Sequence, residues 1–234
     1  MEIRINEINV SYLCLGSKEP LIMLHGWGSK KETFLNIATK LQDEYAVYLI
    51  DLPGFGATNI SNVSSFMDYV NLLRAFILKL GISNPIILGH SFGGRMAIKY
   101  ASLYQIKKLI LVSTPGIRLN PLIVKTKVLI YKILKIFKIK NRLGSSDYKT
   151  ADTKLRHVLI DTVNYNLKKA LSQIRALTLI IHGYLDETVN YRVAFKMNKL
   201  ISGSKLALFK NAKHFPYLEK ENYFMITLKG FLNE

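Results

Sequence analysis

Ser91 lies in the run Gly89-His90-Ser91-Phe92-Gly93-Gly94, directly after the apolar stretch Pro85-Ile86-Ile87-Leu88 and before a helical pattern. A serine hydroxyl is a weak nucleophile until it is exposed and a base stands beside it. The glycines meet the first need. A G-x-S-x-G run between strand and helix makes a sharp, strained turn that lifts the hydroxyl clear of the sheet, and side chains at Gly89 or Gly93 would clash there. The helix that follows aims its first N–H groups at developing negative charge. These residues point to nucleophilic attack through Ser91.

The second need is a base, and the chain holds five histidines. His25 and His90 lie inside glycine-bearing motifs and read as structural. His182 ends a strand and reads as packing. His157 falls in a helical stretch with no obvious partner. His214 sits in Asn211-Ala212-Lys213-His214-Phe215-Pro216, a loop between the last strand and the last helix. Candidate carboxylates to orient a base are Asp186 and its neighbour Glu187, in the turn Gly183-Tyr184-Leu185-Asp186-Glu187-Thr188-Val189. Asp51, in Asp51-Leu52-Pro53-Gly54-Phe55-Gly56, reads as a structural turn residue.

The elements that must position these residues alternate. Met1–Val10 and Ser11–Gly16 read as a starting hairpin. Apolar runs at 20–24, 46–51, 85–89, 107–113, 178–183 and 205–210 read as strands, and 31–42, 65–80, 93–104 and 221–232 as helices. On the second of these helices Phe66, Tyr69, Val70, Leu73, Ile77 and Leu80 share a face. Strands alternating with helices predict a mostly parallel α/β sheet covered on both faces. Ligands of such sheets bind at the carboxyl ends of the strands, where every motif above falls. Between Ile117 and Ala176 the pattern is helical only. The expected organisation is a core of residues 1–116 and 177–234, with 117–176 inserted as a helical lid.

His25-Gly26-Trp27-Gly28, Asp51-Leu52-Pro53-Gly54-Phe55-Gly56 and Gly89-His90-Ser91-Phe92-Gly93-Gly94, in this order and spacing, resemble the α/β-hydrolase superfamily over nearly the whole chain. The resemblance implies a catalytic triad of Ser91, Asp186 and His214. It implies an oxyanion hole made by the N–H groups of Trp27 and Phe92, and no cofactor or metal. Serine at the nucleophile position sets the chain apart from relatives that cleave carbon–halogen bonds or epoxides with aspartate. The expected reaction is hydrolysis of carboxylic esters with small to medium acyl chains, with lactones and acyl thioesters as alternatives. A hydrolase-fold binding protein without catalysis is the rival reading. The sequence also resembles small carboxylesterases that act on carrier-bound acyl methyl esters, from which it departs in carrying His90 before the nucleophile.

The 234 residues carry 33 Lys and Arg against 16 Asp and Glu, a formal net charge of +17. Charge of this size bears on partners and solubility, not on fold. Residues 124–141 concentrate it: Leu129, Ile130, Ile133, Leu134 and Phe137 fall on one helical face and Lys127, Lys132, Lys135 and Lys138 mainly on the other. An acidic carrier protein or an anionic membrane surface are the partners this lid segment suits, beside a small ester or lactone substrate. No nucleic-acid motif is present. The lone Cys14 excludes an intramolecular disulfide. The N-terminus lacks the pattern of a signal peptide and no apolar run is long enough to span a bilayer, so the expected location is cytoplasmic.

Overall fold

The computed structural model describes residues 1–117 and 153–234. They build an eight-stranded sheet in the order β1-β2-β4-β3-β5-β6-β7-β8. The strands are β1 (Glu2–Ile5), β2 (Ile8–Leu15), β3 (Glu19–Leu24), β4 (Tyr45–Ile50), β5 (Ile86–His90), β6 (Lys108–Val112), β7 (Leu177–Gly183) and β8 (Lys205–Phe209). β1 and β2 run antiparallel to their neighbours, and every pairing from β4 to β8 is parallel.

Side chains alternate across the sheet with a period of two. Ile22, Leu24, Ile87, Leu109, Leu111 and Ile180 enter one buried layer. Leu21, Met23, Leu88, Ile110, Val112 and Ile181 enter the other. The first layer is covered by α2 (Phe66–Lys79), α3 (Phe92–Leu103) and α6 (Arg192–Leu200), and the second by α1 (Leu35–Thr39) and α8 (Glu221–Leu232). Strands covered on both faces need unbroken apolar sequence, which is why these runs were legible.

Helix α2 begins where the sequence predicts. Ser65 Oγ accepts from Asp68 N–H and Asp68 Oδ2 accepts from Ser65 N–H, a reciprocal cap. Its buried face holds Phe66, Tyr69, Val70, Leu73 and Ile77 as expected, with Leu72 and Phe76 added and Leu80 only half-buried.

Two expectations need correction. The first hairpin turns at Asn6-Glu7, not between Val10 and Ser11, because Asn6 takes the left-handed conformation (φ 52°) that a tight turn needs. The 31–42 segment is not one helix. It is a 3₁₀ turn over Lys31–Phe34 followed by the short α1.

Between β6 and β7 the described residues form α4 (Thr153–Asn164) and α5 (Lys168–Gln173). α4 lies over the start of α2: Asp161 Oδ2 accepts from Phe66 N–H at 2.7 Å, and Tyr165 packs on Phe66 with ring centroids 4.8 Å apart. Arg95, near the start of α3, fastens this segment to the core. Its guanidinium donates to the carbonyls of Thr162 and Tyr165, both at 2.7 Å, and to that of Pro115. The basic segment 124–141 lies outside the described residues. The last two helices are the single turn α7 (Pro216–Glu219) and α8. Among the described residues no helix is long and apolar enough to cross a membrane.

Candidate active site

The carboxyl ends of β3, β4, β5, β7 and β8 lead into His25, Asp51, Ser91, Asp186 and His214 respectively. Ser91 joins β5 to α3 with φ 49° and ψ −109°, a strained conformation for a side chain other than glycine. The surroundings enforce it. A Cβ on Gly89 would sit 2.6 Å from the backbone of Gly93 and Gly94, and one on Gly93 would fall against the carbonyls of Leu24 and His25. Ser91 itself remains half-exposed at the apex.

Asp186 and His214 meet. His214 Nδ1 lies 2.7 Å from Asp186 Oδ2. The other oxygen, Asp186 Oδ1, accepts from the N–H groups of Thr188 and Val189, both at 2.8 Å. The Asp186 side chain is fully buried. Burial resists its ionisation, but the bonds from His214 and Val189 outweigh it and hold the carboxyl below its ordinary value. Glu187, the other candidate carboxylate, is exposed.

His182 does more than pack. Its Nε2 donates to Val189 O at 2.8 Å and lies 3.5 Å from Asp186 Oδ2, so it closes the acid loop from beneath. Burial lowers its pKa. His157 is exposed on α4.

The two loops expected to offer oxyanion donors are tied together. Gly93 N–H donates to His25 O at 3.1 Å. The Trp27 and Phe92 rings meet edge to face with centroids 5.3 Å apart. Among the described residues neither the Trp27 N–H nor the Phe92 N–H has a backbone acceptor. Gly26 must stay small here, since a Cβ would lie 2.7 Å from His90 Nδ1 and 3.3 Å from Ser91 Cβ. His25 supports this loop: its Nε2 accepts from Leu52 N–H at 3.0 Å, which leaves the proton on Nδ1 to donate to Gly26 O. Burial lowers the His25 pKa to about 4, so the ring stays neutral.

Asp51 is structural, as expected. Its carboxylate accepts from Lys31 N–H at 2.8 Å, from Ala57 N–H at 2.9 Å and from Lys31 Nζ at 2.6 Å. Gly56 (φ 55°) leaves the space the carboxylate fills. Nothing in the sequence marks Lys31 as the partner of Asp51, or singles out Arg95 and Glu219, and His90, read as structural, has a specific partner that its motif does not reveal. His90 Nε2 donates to His214 O at 2.9 Å. Glu219 accepts from the N–H groups of Lys213 and Phe215. The available signal for Glu219 was slight: a carboxylate ending the turn that Pro216 starts.

A strained strand-turn-helix serine, a buried carboxylate bonded to a histidine and two adjoining glycine loops thus stand at the carboxyl ends of the parallel strands. The chain matches the family described as alpha/beta hydrolase fold over residues 19–149. It belongs to that family. It is 26% identical to lipase 3 of Moraxella sp. (strain TA144), over 86% of this chain and 73% of the relative. It is 27% identical to the pimeloyl-[acyl-carrier protein] methyl ester esterase of Aliivibrio fischeri (strain ATCC 700601 / ES114), over 94% of this chain and 95% of that one. Its fold is shared with the meta-cleavage product hydrolase of Pseudomonas fluorescens IP01 at a TM-score of 0.79 and 22% identity, over 100% of this chain and 97% of the other.

Proposed function

We propose that the protein hydrolyses carboxylic esters with small to medium acyl chains, using Ser91 as nucleophile, His214 as base and Asp186 to orient it. The observation that carries this is the 2.7 Å pairing of His214 Nδ1 with buried Asp186 at the strand ends that also hold strained Ser91. Relatives named lipase and esterase support the same reaction class.

The mechanism follows from the groups present. Ser91 Oγ attacks the acyl carbonyl as its proton passes to His214 Nε2. The Trp27 and Phe92 N–H groups receive the oxyanion. The intermediate collapses, and the alcohol leaves with the proton from His214. Water, deprotonated by His214, then attacks the acyl-enzyme. The acid departs and Ser91 recovers its proton. Asp186 holds the imidazole with its proton on Nδ1 and stabilises the imidazolium that forms twice per cycle. Lactones and acyl thioesters present the same carbonyl to the same groups.

Residues 117–176 are proposed as a cap over this site, with the Lys-rich stretch 124–141 meeting an acidic carrier or an anionic lipid surface. The net charge of +17 supports that part of the reading. The test is turnover of p-nitrophenyl esters from acetate through dodecanoate. An optimum at short or middle chain length is expected. Turnover confined to the longest esters presented as aggregates, and lost in high salt, would favour a lipid-surface enzyme instead.

A further inference from the structure

The loop that carries His214 is anchored at Ala212, which is fully buried and whose carbonyl accepts from Leu185 N–H at 2.9 Å, but the residues on either side of His214, Lys213 and Phe215, are exposed. A base must nevertheless keep one ring nitrogen on Asp186 and offer the other to the serine. We propose that Glu219 and His90 are positioning residues that clamp the peptide groups flanking His214, and so hold its imidazole in line between Asp186 and Ser91. This rests on the reading of His214 as the base.

Three hydrogen bonds make the clamp. Glu219 Oε2 accepts from Lys213 N–H at 2.6 Å, and Glu219 Oε1 accepts from Phe215 N–H at 3.0 Å. One carboxylate therefore holds the amides on both sides of His214. From the other side, His90 Nε2–H donates to the His214 carbonyl at 2.9 Å. Charge-assisted bonds of the Glu219 kind are roughly twice as strong as neutral ones. Short α7 sets the spacing, because its single turn returns Glu219 over the loop that starts it.

His90 is not there merely to fill space. Its only hydrogen-bond partner among the described residues is a carbonyl, so the proton sits on Nε2 and Nδ1 is bare. That Nδ1 is buried without a partner. An unpaired buried acceptor costs about 1–3 kcal/mol, which a phenylalanine of similar shape would avoid. The ring is packed by Phe215 and Tyr217, at 5.0 and 5.2 Å between centroids, which fixes its plane toward the His214 carbonyl. Burial, aided by the neighbouring His214, lowers its pKa to about 3, so the ring remains a neutral single donor through the working range.

The test uses the full chain carrying Glu219→Ala, Glu219→Gln, His90→Phe or His90→Gln, with folding checked by circular dichroism. Three readouts are taken: kcat and KM on a p-nitrophenyl ester, the rate of fluorophosphonate labelling, and amide hydrogen exchange at Lys213 and Phe215. Glu219→Ala and His90→Phe should lower kcat and the labelling rate by about 10- to 100-fold with KM little changed, as displacement of a catalytic group does. Glu219→Gln and His90→Gln, which each keep a suitable acceptor or donor, should recover part of the loss. Exchange at the two amides should rise about tenfold or more in Glu219→Ala. Folded variants with wild-type kcat and wild-type exchange would overturn the clamp. Equal losses for Glu219→Ala and Glu219→Gln would reduce Glu219 to a general stabilising role and overturn it as well. If the wild-type protein neither turns over nor labels, it is the reading of Ser91 that fails, and the clamp stands or falls on the exchange rates alone.

Discussion

Asp186 and His214 sit 28 residues apart in sequence, on the loops that follow neighbouring parallel strands, and their side chains meet at 2.7 Å. The pairing depends on β7 and β8 lying in register, with Gly183 opposite Phe209. It also depends on the absence of a side chain at Gly183, where a Cβ would strike the backbone of Ala212 and Lys213. Among the described residues the Asp186 carboxylate is compensated by His214, by His182 and by the amides of Thr188 and Val189.

Asp186→Asn should therefore fold but lose activity. The asparagine oxygen accepts from the Thr188 and Val189 amides as before, which turns its NH2, a donor, toward His214 Nδ1. The loss expected in kcat is of order 10²- to 10⁴-fold, the range seen when a triad histidine is left in the wrong tautomer. Steady-state kinetics beside a urea unfolding curve check both halves.

Acid should destabilise the fold before Asp51 or Asp186 takes up a proton. His25 and His90 stay neutral in the fold down to about pH 4 and about pH 3, whereas in the unfolded chain they take up protons near 6.5. Between those values the unfolded state binds more protons, so stability falls as pH drops. Each contributes a loss of about 2 kcal/mol on going from about pH 7 to about pH 5. Asp51 and Asp186, whose pKa values are lowered in the fold, add their loss only below their ordinary value of 3.8. Urea midpoints across this range should decline steadily, and a flat profile from neutrality to mild acid would contradict the account.

Breaking the Lys31–Asp51 pair from one side should cost stability without touching the chemistry. Lys31→Met leaves Asp51, whose side chain is fully buried, with only its two amide donors. The expected loss is about 3–5 kcal/mol. Turnover per folded molecule should remain near that of the wild type.

Glycines should separate into two kinds. Gly81→Ala and Gly203→Ala, at positive φ but in open space, should each cost about 1 kcal/mol. Gly93→Ala has nowhere to put its methyl except against the Leu24 and His25 carbonyls, and should abolish activity and most of the soluble yield. Thermal melts of the three variants check this ordering.

These contrasts explain what was legible in the sequence. The parallel strands were, because burial on both faces demands unbroken apolar runs. The Ser91 turn was, because steric limits at Gly89 and Gly93 act on adjacent residues and leave a local trace. Asp186 and His214 were placed by resemblance, not by any local pattern. The partner of His90, itself read as structural, and those of Arg95 were not legible because both bond to carbonyls brought near only by the fold, His90 to that of His214 and Arg95 to those of Thr162 and Tyr165, while Glu219 bonds to amides only four and six residues back but leaves no pattern in doing so. Backbone carbonyls and amides belong to every residue, so nothing in the sequence singles out such partners. The Asn6 turn was missed for a different reason: it depends on one residue's tolerance of positive φ, while the alternation of β2 runs straight through the boundary expected at Val10.

The most direct measurement is covalent labelling with a fluorophosphonate, followed by peptide mass spectrometry, on the wild-type protein and on Ser91→Ala. The account predicts a single adduct on Ser91, matched by loss of ester turnover, and neither adduct nor turnover in Ser91→Ala. Folded wild-type protein that takes up no label and hydrolyses no ester, or Ser91→Ala that still does, would contradict it.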